Sequence, residues 1–466
     1  MSSPELSPTS PPSKPDRAVP PASAFDRFAQ RLVLRRLAGL RRGELTLEAS
    51  GTVWKEGESG SIAARLQVHD SRLFRRALLG GTLAIAESYL EGEWDCDDLT
   101  SLFRIFIRNM DAADGLDSAT ARIAQWGYRL LHRFNANTRS GSRRNIEAHY
   151  DLGNDFFRLW LDETMAYSSG IFPTEGATLR EASEEKFDRI CRRLALSESD
   201  HVLEIGTGWG GFALHAASRY GSRITTTTIS REQRTVAAQR VFEAELQDRI
   251  TLLGCDYRDL TGEYDKLVSI EMIEAVGHRY LDDYFGQCGR LLRPEGSLLI
   301  QAIVMPERRY DQYLHSVDFI QRYVFPGGCC PSLGAMLDAA GRSSDLRLVH
   351  AEDFAPHYAE TLRRWRAAFE ARLGDIRRLG YPERFLRLWR YYLAYCEAIF
   401  EERQLSLLQI QFDKPLAGCG LRTTTGRASL ASTQTASAPP AGLAPDLVLS
   451  PSPDVRLAGE GKVWRR

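Results

Sequence analysis

One stretch of the chain runs Val202-Leu203-Glu204-Ile205-Gly206-Thr207-Gly208-Trp209-Gly210-Gly211, an apolar run that meets a glycine-rich turn. The apolar run predicts a buried strand, and the following segment 212–220 predicts a helix. Glycine lets the backbone turn tightly and approach a ligand closely, and a helix N-terminus favours a nucleotide-like group. The stretch therefore predicts a cofactor site.

A second predicted strand, at 222–229, ends with four threonines and Ile229 and leads into the polar loop Ser230-Arg231-Glu232-Gln233. A nicotinamide site would place an acidic residue at the end of this strand, about 20 residues after the glycines, to hold the ribose. No acidic residue ends this strand. The hydroxyl and amide groups found there suit an adenosine.

Three more strands are predicted at 250–254, 266–271 and 297–304, with helical patterns between most of them. This alternation predicts an α/β fold with a parallel sheet and helices on both faces. Open α/β sheets bind ligands at the carboxyl ends of their strands. The segments at those ends are the glycine turn, Thr228 to Gln233, Asp256-Tyr257, Glu271 with Glu274, and Gln301 with Ile303.

The rest of the chain divides by composition. Residues 25–110 predict a small α+β module, 111–144 a linker and 145–415 the main domain, within which 306–347 is an insertion expected to cover the site. The segments 1–24 and 416–466 are rich in small residues and Pro, and we expect them to be disordered.

The overall composition is that of a soluble globular protein, with 43% hydrophobic and 26% charged residues. A formal net charge of -1 gives no general attraction to nucleic acid. No apolar run approaches the roughly 18 residues that span a bilayer, and the N-terminus lacks a signal-peptide core, so we expect a cytoplasmic protein. Eight cysteines without a C-x-x-C pair predict no disulfide framework and no metal site.

Residues 25–42 predict a helix in which arginines are spread among apolar residues. The six arginines are Arg27, Arg31, Arg35, Arg36, Arg41 and Arg42. This composition suits an anionic membrane surface. The alternative is a helix docked on its own domain, with the arginine stems lying over apolar surface.

Six ordered motifs resemble the cyclopropane-fatty-acyl-phospholipid synthase family, which includes the mycolic acid cyclopropane synthases. The motifs are 149–157 with 165–169, 204–211, 228–233, 271–277, 357–362 and 391–403, and the resemblance covers roughly residues 70–412. It implies a Rossmann-like class I methyltransferase sheet with helical additions over the substrate. The segment 79–94 is similar to the amino-terminal module of longer bacterial members.

The resemblance implies S-adenosylmethionine as the cofactor and assigns its contacts residue by residue. Tyr167 and Ser168 would approach the methionine end. The methionine and ribose would contact Glu204, Gly206, Thr207, Gly208 and Gly210, the ribose and adenine Thr228, Ser230 and Gln233, and the adenine Asp256 and Tyr257.

The family transfers a methyl group to the double bond of a phospholipid acyl chain, and proton loss then closes a cyclopropane ring. An alkene is a weak nucleophile, so the site must hold it close and exclude water. The resemblance implies bicarbonate as the base, surrounded by Ser169, Glu274, Gln301, Ile303 and Tyr358. Aromatic faces that would stabilise the cation are Tyr323, Phe325 and Trp365.

Two positions depart from the family pattern, since Ser169 replaces a cysteine and Gln301 a histidine. Glutamine donates a hydrogen bond but takes no proton, so a methyl- or methylene-branched product is an alternative to the ring. Cys396 matches a cysteine placed in the family's active site, but its spacing from Trp389 and Tyr392 also fits a core helix.

The expected partners are phospholipid acyl chains at a membrane surface, with peripheral membrane association and no nucleic acid. A small-molecule methyltransferase of the same fold is an alternative, and so is a lipid-binding protein that lost catalysis. The sequence leaves open whether the chain forms a homodimer.

Overall fold

The computed structural model of the chain describes residues 23–60, 62–110 and 153–417. The predicted linker at 111–144 and most of both predicted tails lie outside these residues, as does the first part of the motif at 149–157. Among the described helices, none combines the length and the apolarity needed to cross a membrane.

The amino-terminal module consists of a four-stranded sheet and helices packed on it. Its elements are α1 (Ala24–Leu37), β1 (Gly43–Ala49), β2 (Thr52–Glu58), β3 (Ala63–Val68), α2 (Arg72–Leu90), β4 (Trp94–Cys96) and α3 (Leu99–Arg108). The strand order is β2-β1-β3-β4. Side chains alternate along β1, so that Leu45, Leu47 and Ala49 are buried on the face toward α3.

The larger part of the chain alternates strands and helices. Its elements are α4 (Asn154–Arg158), α5 (Leu179–Arg193), β5 (His201–Ile205), α6 (Gly211–Tyr220), β6 (Arg223–Thr227), α7 (Arg231–Glu243), β7 (Ile250–Leu253), β8 (Tyr264–Ile270), α8 (Leu281–Leu291), β9 (Leu292–Val304), α9 (Glu307–Leu314), α10 (Phe319–Tyr323), α11 (Leu333–Ser343), β10 (Arg347–Asp353), α12 (Ala355–Ala371), α13 (Leu373–Arg378), α14 (Glu383–Glu401) and β11 (Ser406–Asp413).

The main sheet has the order β10-β11-β9-β8-β5-β6-β7. The five predicted strands form its parallel part, which confirms the Rossmann-like class I methyltransferase sheet. Strand order reverses beside β5, which has β6 on one side and β8 on the other. Such a switch point opens a crevice at the carboxyl ends of the strands.

One edge of the sheet departs from the predicted parallel arrangement. β11 pairs antiparallel with both β9 and β10, and neither β10 nor β11 was predicted from the sequence. β11 carries Gln409 and Gln411, which are buried, and their amides bond Gln301 and Asp413. Because these polar side chains find partners inside the protein, hydropathy did not reveal the strand.

Only part of the predicted insertion at 306–347 covers the crevice. Residues of α9, α10 and the loop after them, among them Tyr313, Ile320 and Phe325, line the cavity described below. α11 instead packs against α8 and adds Met336 and Ala339 to a core cluster. The cover is therefore confined to about residues 306–332.

Helix α1 is docked on its own module. It packs against α2, and its Ala29 and Leu37 are buried. This agrees with the docked alternative for the arginine-bearing helix. The opposite face, with Phe25 and Phe28, is exposed.

Arg387 of α14 joins the amino-terminal module to the rest of the structure. Its guanidinium donates to the backbone oxygens of Tyr89 and Trp94 and to the carboxylate of Asp95, and it stacks 3.9 Å from the centre of the Tyr89 ring. The Arg387 side chain is only 6% exposed. Removing it would leave buried carbonyls without a donor.

We predict that Arg387→Leu lowers the free energy of unfolding by about 2 kcal/mol or more, because charged hydrogen bonds to buried acceptors are lost. Arg384→Leu is the matched control on the same helix, since Arg384 forms a solvent-exposed pair with Glu91. We expect that control to cost less than about 1 kcal/mol. Urea unfolding measures both, and equal losses would contradict the role given to Arg387.

Candidate active site

A cavity of about 770 Å³ lies at the carboxyl ends of the parallel strands. It is lined by most of the predicted cofactor residues and by Glu271, Glu274, Ile303, Tyr358 and Cys396. Among the residues predicted to contact the cofactor or bicarbonate, four do not line it: Ser169, Gly210, Ser230 and Gln301. Their structural positions, given below, show that they support neighbours that do.

The glycine turn exposes its backbone to this cavity. Gly206, Gly208 and Gly210 have φ values of +105°, +53° and +87°, in the region that glycine adopts readily. A Cβ built on Gly208 would meet no protein atom within 4 Å. The backbone there leaves room for a ligand, while Gly210 is the N-cap of helix α6.

Glu204, the second-to-last residue of β5, is a buried acid next to the glycine turn. Its Oε2 accepts a hydrogen bond from Thr226 Oγ1 at 2.6 Å, and Thr207 Oγ1 lies 2.6 Å from the same hydroxyl. Burial raises the pKa of Glu204 to about 8. A cationic ligand group placed against it would favour its ionised form.

The loop after β6 is held by its own polar side chains. Thr228 Oγ1 donates to Gln233 Oε1 at 3.1 Å, and Ser230 caps helix α7 by accepting from the Gln233 N–H. Ser230 thus shapes the loop, whereas Thr228 and Gln233 line the cavity. After β7, Asp256 lines the cavity while bonded to Arg258.

Glu271 lies at the centre of the reacting region, at the end of β8. Its Oε1 accepts from the Ser169 backbone N–H at 2.9 Å and from Gln301 Nε2 at 2.8 Å, and its Oε2 accepts from the Tyr358 hydroxyl at 2.8 Å. These three donors belong to the residues expected to surround bicarbonate. The structure gives them to a carboxylate of the protein itself.

The donor set therefore does not fit bicarbonate as the resemblance implied. Of the expected ligands, the Ile303 N–H donates to Glu274 Oε1 at 2.6 Å, so it too is engaged by a protein carboxylate. The Ser169 hydroxyl donates to the Gly170 backbone oxygen. Every donor assigned to the anion thus has a partner in the chain.

Two residues that the sequence analysis did not name support Glu271. Gln409 Nε2 donates to Gln301 Oε1 at 3.0 Å, which turns the Gln301 amide nitrogen toward Glu271. Lys186 is fully buried, and its Nζ donates to Ser168 Oγ at 2.6 Å. A signal for Lys186 exists, because it lies four residues from Ala182 and from Ile190 on the buried face of α5.

Neighbouring charge and burial have opposite effects on the pKa of Glu271 and on the pKa of Lys186. Burial raises the pKa of Glu271 above its ordinary value, while the Lys186 charge and the three hydrogen bonds favour the ionised form. Burial lowers the pKa of Lys186 to about 8, against the opposing effect of Glu271. Each charge therefore favours the ionised form of the other group, against the effect of burial.

Glu274 is a second acid facing the cavity. Its Oε2 is buried and has no hydrogen-bond partner within the described part of the chain. Burial, and then the negative charge of Glu271, raises the pKa of Glu274 to about 8. Glu274 therefore keeps its proton at neutral pH and presents a neutral carboxyl group.

Aromatic side chains surround the cavity beyond these acids. Tyr167 lines it and donates to the Tyr392 hydroxyl at 3.0 Å, and Phe325 lines it as well. Trp365 and Tyr323, also predicted to face the reacting group, are not among the lining residues. Trp365 is instead 1% exposed within the core, and Tyr323 donates to Glu87.

Cys396 lines the cavity from helix α14. Burial raises the pKa of its thiol well above the ordinary value, so the nucleophilic thiolate is disfavoured. It also packs against the main hydrophobic cluster. These observations favour a packing role over a chemical one.

Known proteins are similar to this chain in sequence and in fold. Residues 137–410 match the protein family described as mycolic acid cyclopropane synthetase. The chain is 39% identical over 402 residues to tuberculostearic acid methyltransferase UfaA1 of Mycobacterium tuberculosis, covering 84% of this chain and 92% of that protein. It is 35% identical over 373 residues to cyclopropane-fatty-acyl-phospholipid synthase of Escherichia coli K12, covering 78% of this chain and 91% of that protein.

Two solved structures of similar proteins support the same family assignment. Cyclopropane synthase MmaA2 from Mycobacterium tuberculosis superposes with a TM-score of 0.55 and 27% identity, and mycolic acid cyclopropane synthase CmaA1 complexed with SAH and CTAB with a TM-score of 0.55 and 29% identity. Each comparison covers 58% of this chain and 98% of the other. The chain belongs to the mycolic acid cyclopropane synthetase family and is an S-adenosylmethionine-dependent methyltransferase of the class I fold.

Proposed function

We propose that this enzyme methylates the double bond of an unsaturated acyl chain in a phospholipid, acting as a peripheral protein at a membrane surface. One observation carries the proposal: a single cavity joins the cofactor end, at the glycine turn, to an apolar and aromatic space. Family membership supports the same substrate class, since both relatives above act, by their names, on fatty acids or fatty acyl chains.

S-adenosylmethionine would supply an electrophilic methyl group, whose bond to the sulfonium sulfur would break to leave a neutral thioether as the new carbon–carbon bond forms. The residues suited to hold it are Glu204, the backbone around Gly208, Thr228 and Gln233, all of which line the cavity. Glu204 offers a buried carboxylate to a cationic group, and the open backbone at Gly208 accepts a close approach. Tyr167 and Ser168 lie on the side nearer the reacting acids, and Lys186 fixes the Ser168 hydroxyl.

The apolar walls exclude water from the reacting carbon atoms. Tyr167, Phe325, Ile303 and Tyr392 line this part of the cavity. When the π electrons of the double bond form the new carbon–carbon bond, a cation is left on the neighbouring carbon. Water that reached the cationic carbon would add to it, so an apolar lining that excludes water protects the intermediate.

Glu271 is the group we assign to take the proton. Lys186 and three hydrogen bonds favour its ionised form against the effect of burial, and it faces the cavity. As a C–H bond of the cation breaks, its proton goes to Glu271 and its electron pair restores a neutral product. A general base of this kind typically contributes a factor of about 10² to 10⁴ in rate.

A methylene-branched chain is the product we favour. A hydride shift to the cationic carbon, followed by loss of a proton from the transferred methyl carbon, gives a methylene branch on the chain. Without the shift, the electron pair of the same C–H bond closes a cyclopropane ring. The donors that the resemblance assigned to bicarbonate belong here to Glu271, so the base differs from the one expected for ring closure. The ring is the second candidate, supported by the identity to the Escherichia coli synthase.

We predict that a bacterial host expressing this protein, fed methyl-deuterated methionine, accumulates phospholipids with a labelled extra carbon on the acyl chain. Fragmentation that locates a methylene branch supports the favoured product, and ring-specific fragments support the second candidate. The matched control is a host expressing Glu271→Gln. If phospholipids carry no label while a water-soluble small molecule does, the lipid substrate is wrong.

Replacing the proposed base should separate chemistry from binding. We expect Glu271→Gln to lower the rate of methyl transfer by at least about 100-fold, because an amide cannot accept the proton. Calorimetric titration should show S-adenosylmethionine binding within about twofold of the original, since Glu271 contributes no predicted contact to that ligand.

The comparison variant is Glu274→Gln. Glu274 is neutral at neutral pH by its raised pKa, so an amide there keeps the charge state and should cost less activity than Glu271→Gln. A larger loss in Glu274→Gln than in Glu271→Gln would move the base from Glu271 to Glu274.

The rate of methyl transfer should have a bell-shaped pH dependence. Activity rises as pH passes the raised pKa of Glu271, which must be ionised, and falls as pH passes about 8, where Lys186 loses its charge. Lys186→Met should remove the alkaline fall and move the acid limb to higher pH, because the charge that favours ionised Glu271 is gone. Unchanged limbs in Lys186→Met would contradict this assignment.

A further inference from the structure

The same cavity continues into the amino-terminal module. There its lining comes from α1, β1, β3, α2 and α3 and is almost entirely apolar. These lining residues include Val33, Leu37, Leu45, Leu47, Leu66, Phe74, Ala77, Leu102, Phe103 and Phe106. Tyr391 and Tyr395 of α14 line it as well, and Phe103 packs against both rings. The chemistry assigned above uses none of these residues.

Empty space among such side chains is unusual. Protein interiors are packed about as densely as organic crystals, and voids larger than a water molecule are few. A core with this many leucine and phenylalanine side chains has the composition to close on itself, yet the cavity persists among them. Apolar, concave spaces with few polar groups are typical of sites for apolar ligands.

One cationic side chain of the module, Arg36, faces this space. Its Nη1 is buried and has no hydrogen-bond partner in the part of the chain that the structure describes. A buried N–H of a charged group without an acceptor is costly. The arrangement suits an anionic group at the end of an apolar ligand.

The outer face of the same helix has a different character. Phe25 and Phe28 are 44% and 52% exposed, with ring centres 6.3 Å apart, and Arg31 and Arg35 on that helix are exposed too. Exposed aromatic rings beside basic residues suit the interface of an anionic membrane. The exposed face of helix α1 thus suits contact with a membrane, and its opposite face forms part of the cavity wall.

We propose that the amino-terminal end of the cavity binds the acyl chain of a phospholipid drawn from a bilayer, with Arg36 beside the lipid phosphate. The choice of an acyl chain rests on the proposed function. The choice of a phospholipid over a free fatty acid rests on the exposed face of α1. The module then holds the part of the substrate that lies between its headgroup and the reacting double bond.

The first experiment needs no substitution and no methyl donor. The full chain is mixed with vesicles of dioleoyl phosphatidylglycerol containing a phosphatidylglycerol with a diazirine in its acyl chain, and cross-linked peptides are identified by mass spectrometry. We expect adducts on α2 and α3, near Phe74 and Phe103. Adducts confined to residues 303–330 and 358–362 would overturn the proposal.

A cavity-filling pair provides a second test. Ala77→Trp places a large ring in the module end of the cavity, whereas Leu79→Trp, on the same helix, is exposed and outside the lining. We expect Ala77→Trp to weaken vesicle-dependent lipid binding by about tenfold or more and Leu79→Trp by less than about twofold. Calorimetry of S-adenosylmethionine binding confirms that each variant is folded, and equal lipid binding by both would overturn the proposal.

A charge pair tests the headgroup. Arg36→Gln should weaken binding of the phosphatidylglycerol vesicles by about tenfold, and the exposed control Arg31→Gln by about twofold. Free oleate is measured in parallel. Dependence on Arg36 for oleate but not for the vesicles would overturn the choice of a phospholipid.

These experiments distinguish the proposed lipid-binding site in the module from the proposed methyl transfer to phospholipids. Cross-linking to α2 and α3 without any methyl transfer to lipid would support the binding site and contradict the proposed function. Labelled phospholipids formed equally by the original enzyme and Ala77→Trp would support the function and contradict the binding site.

Discussion

A carboxylate that faces a dry cavity must receive its hydrogen bonds from the protein, and Glu271 receives them from separate parts of the chain. The Ser169 backbone, the Gln301 amide and the Tyr358 hydroxyl donate to it, and Lys186 supplies the balancing charge. Glu271 itself has a φ of +47°, which costs energy for a residue with a Cβ. Its surroundings must therefore be complete before the carboxylate can stay ionised there.

This requirement explains parts of the fold that lie far from the glycine turn. β11 is an antiparallel addition to the parallel sheet, yet its Gln409 orients Gln301 toward Glu271. Helix α12 brings Tyr358, whose ring packs 4.4 Å from Phe400 of α14. Because α14 is also held to the amino-terminal module by Arg387, the module, the helices and the sheet edge share one set of contacts.

The sequence predicted the parallel strands, the glycine turn and most of the residues that line the cavity beside that turn, because strand periodicity and glycine leave direct signals. It did not predict β10 and β11, and on β11 the buried Gln409 and Gln411, which bond Gln301 and Asp413, look hydrophilic in sequence. Nor could it assign Glu271, whose role depends on three donors that are 87, 102 and 30 positions away along the chain. Lys186 left a periodic signal on α5, but burial of its ammonium group becomes evident only when Ser168 and Glu271 are placed beside it.

A base carried by the protein has a direct consequence for the conditions in which methyl transfer proceeds. The most direct measurement is the rate of methyl transfer to unsaturated phospholipid vesicles in buffer freed of carbon dioxide, before and after bicarbonate is added. If Glu271 takes the proton, the rate is the same in both conditions. A rate that collapses without bicarbonate and recovers on its addition would show that an external anion takes the proton and that Glu271 does not.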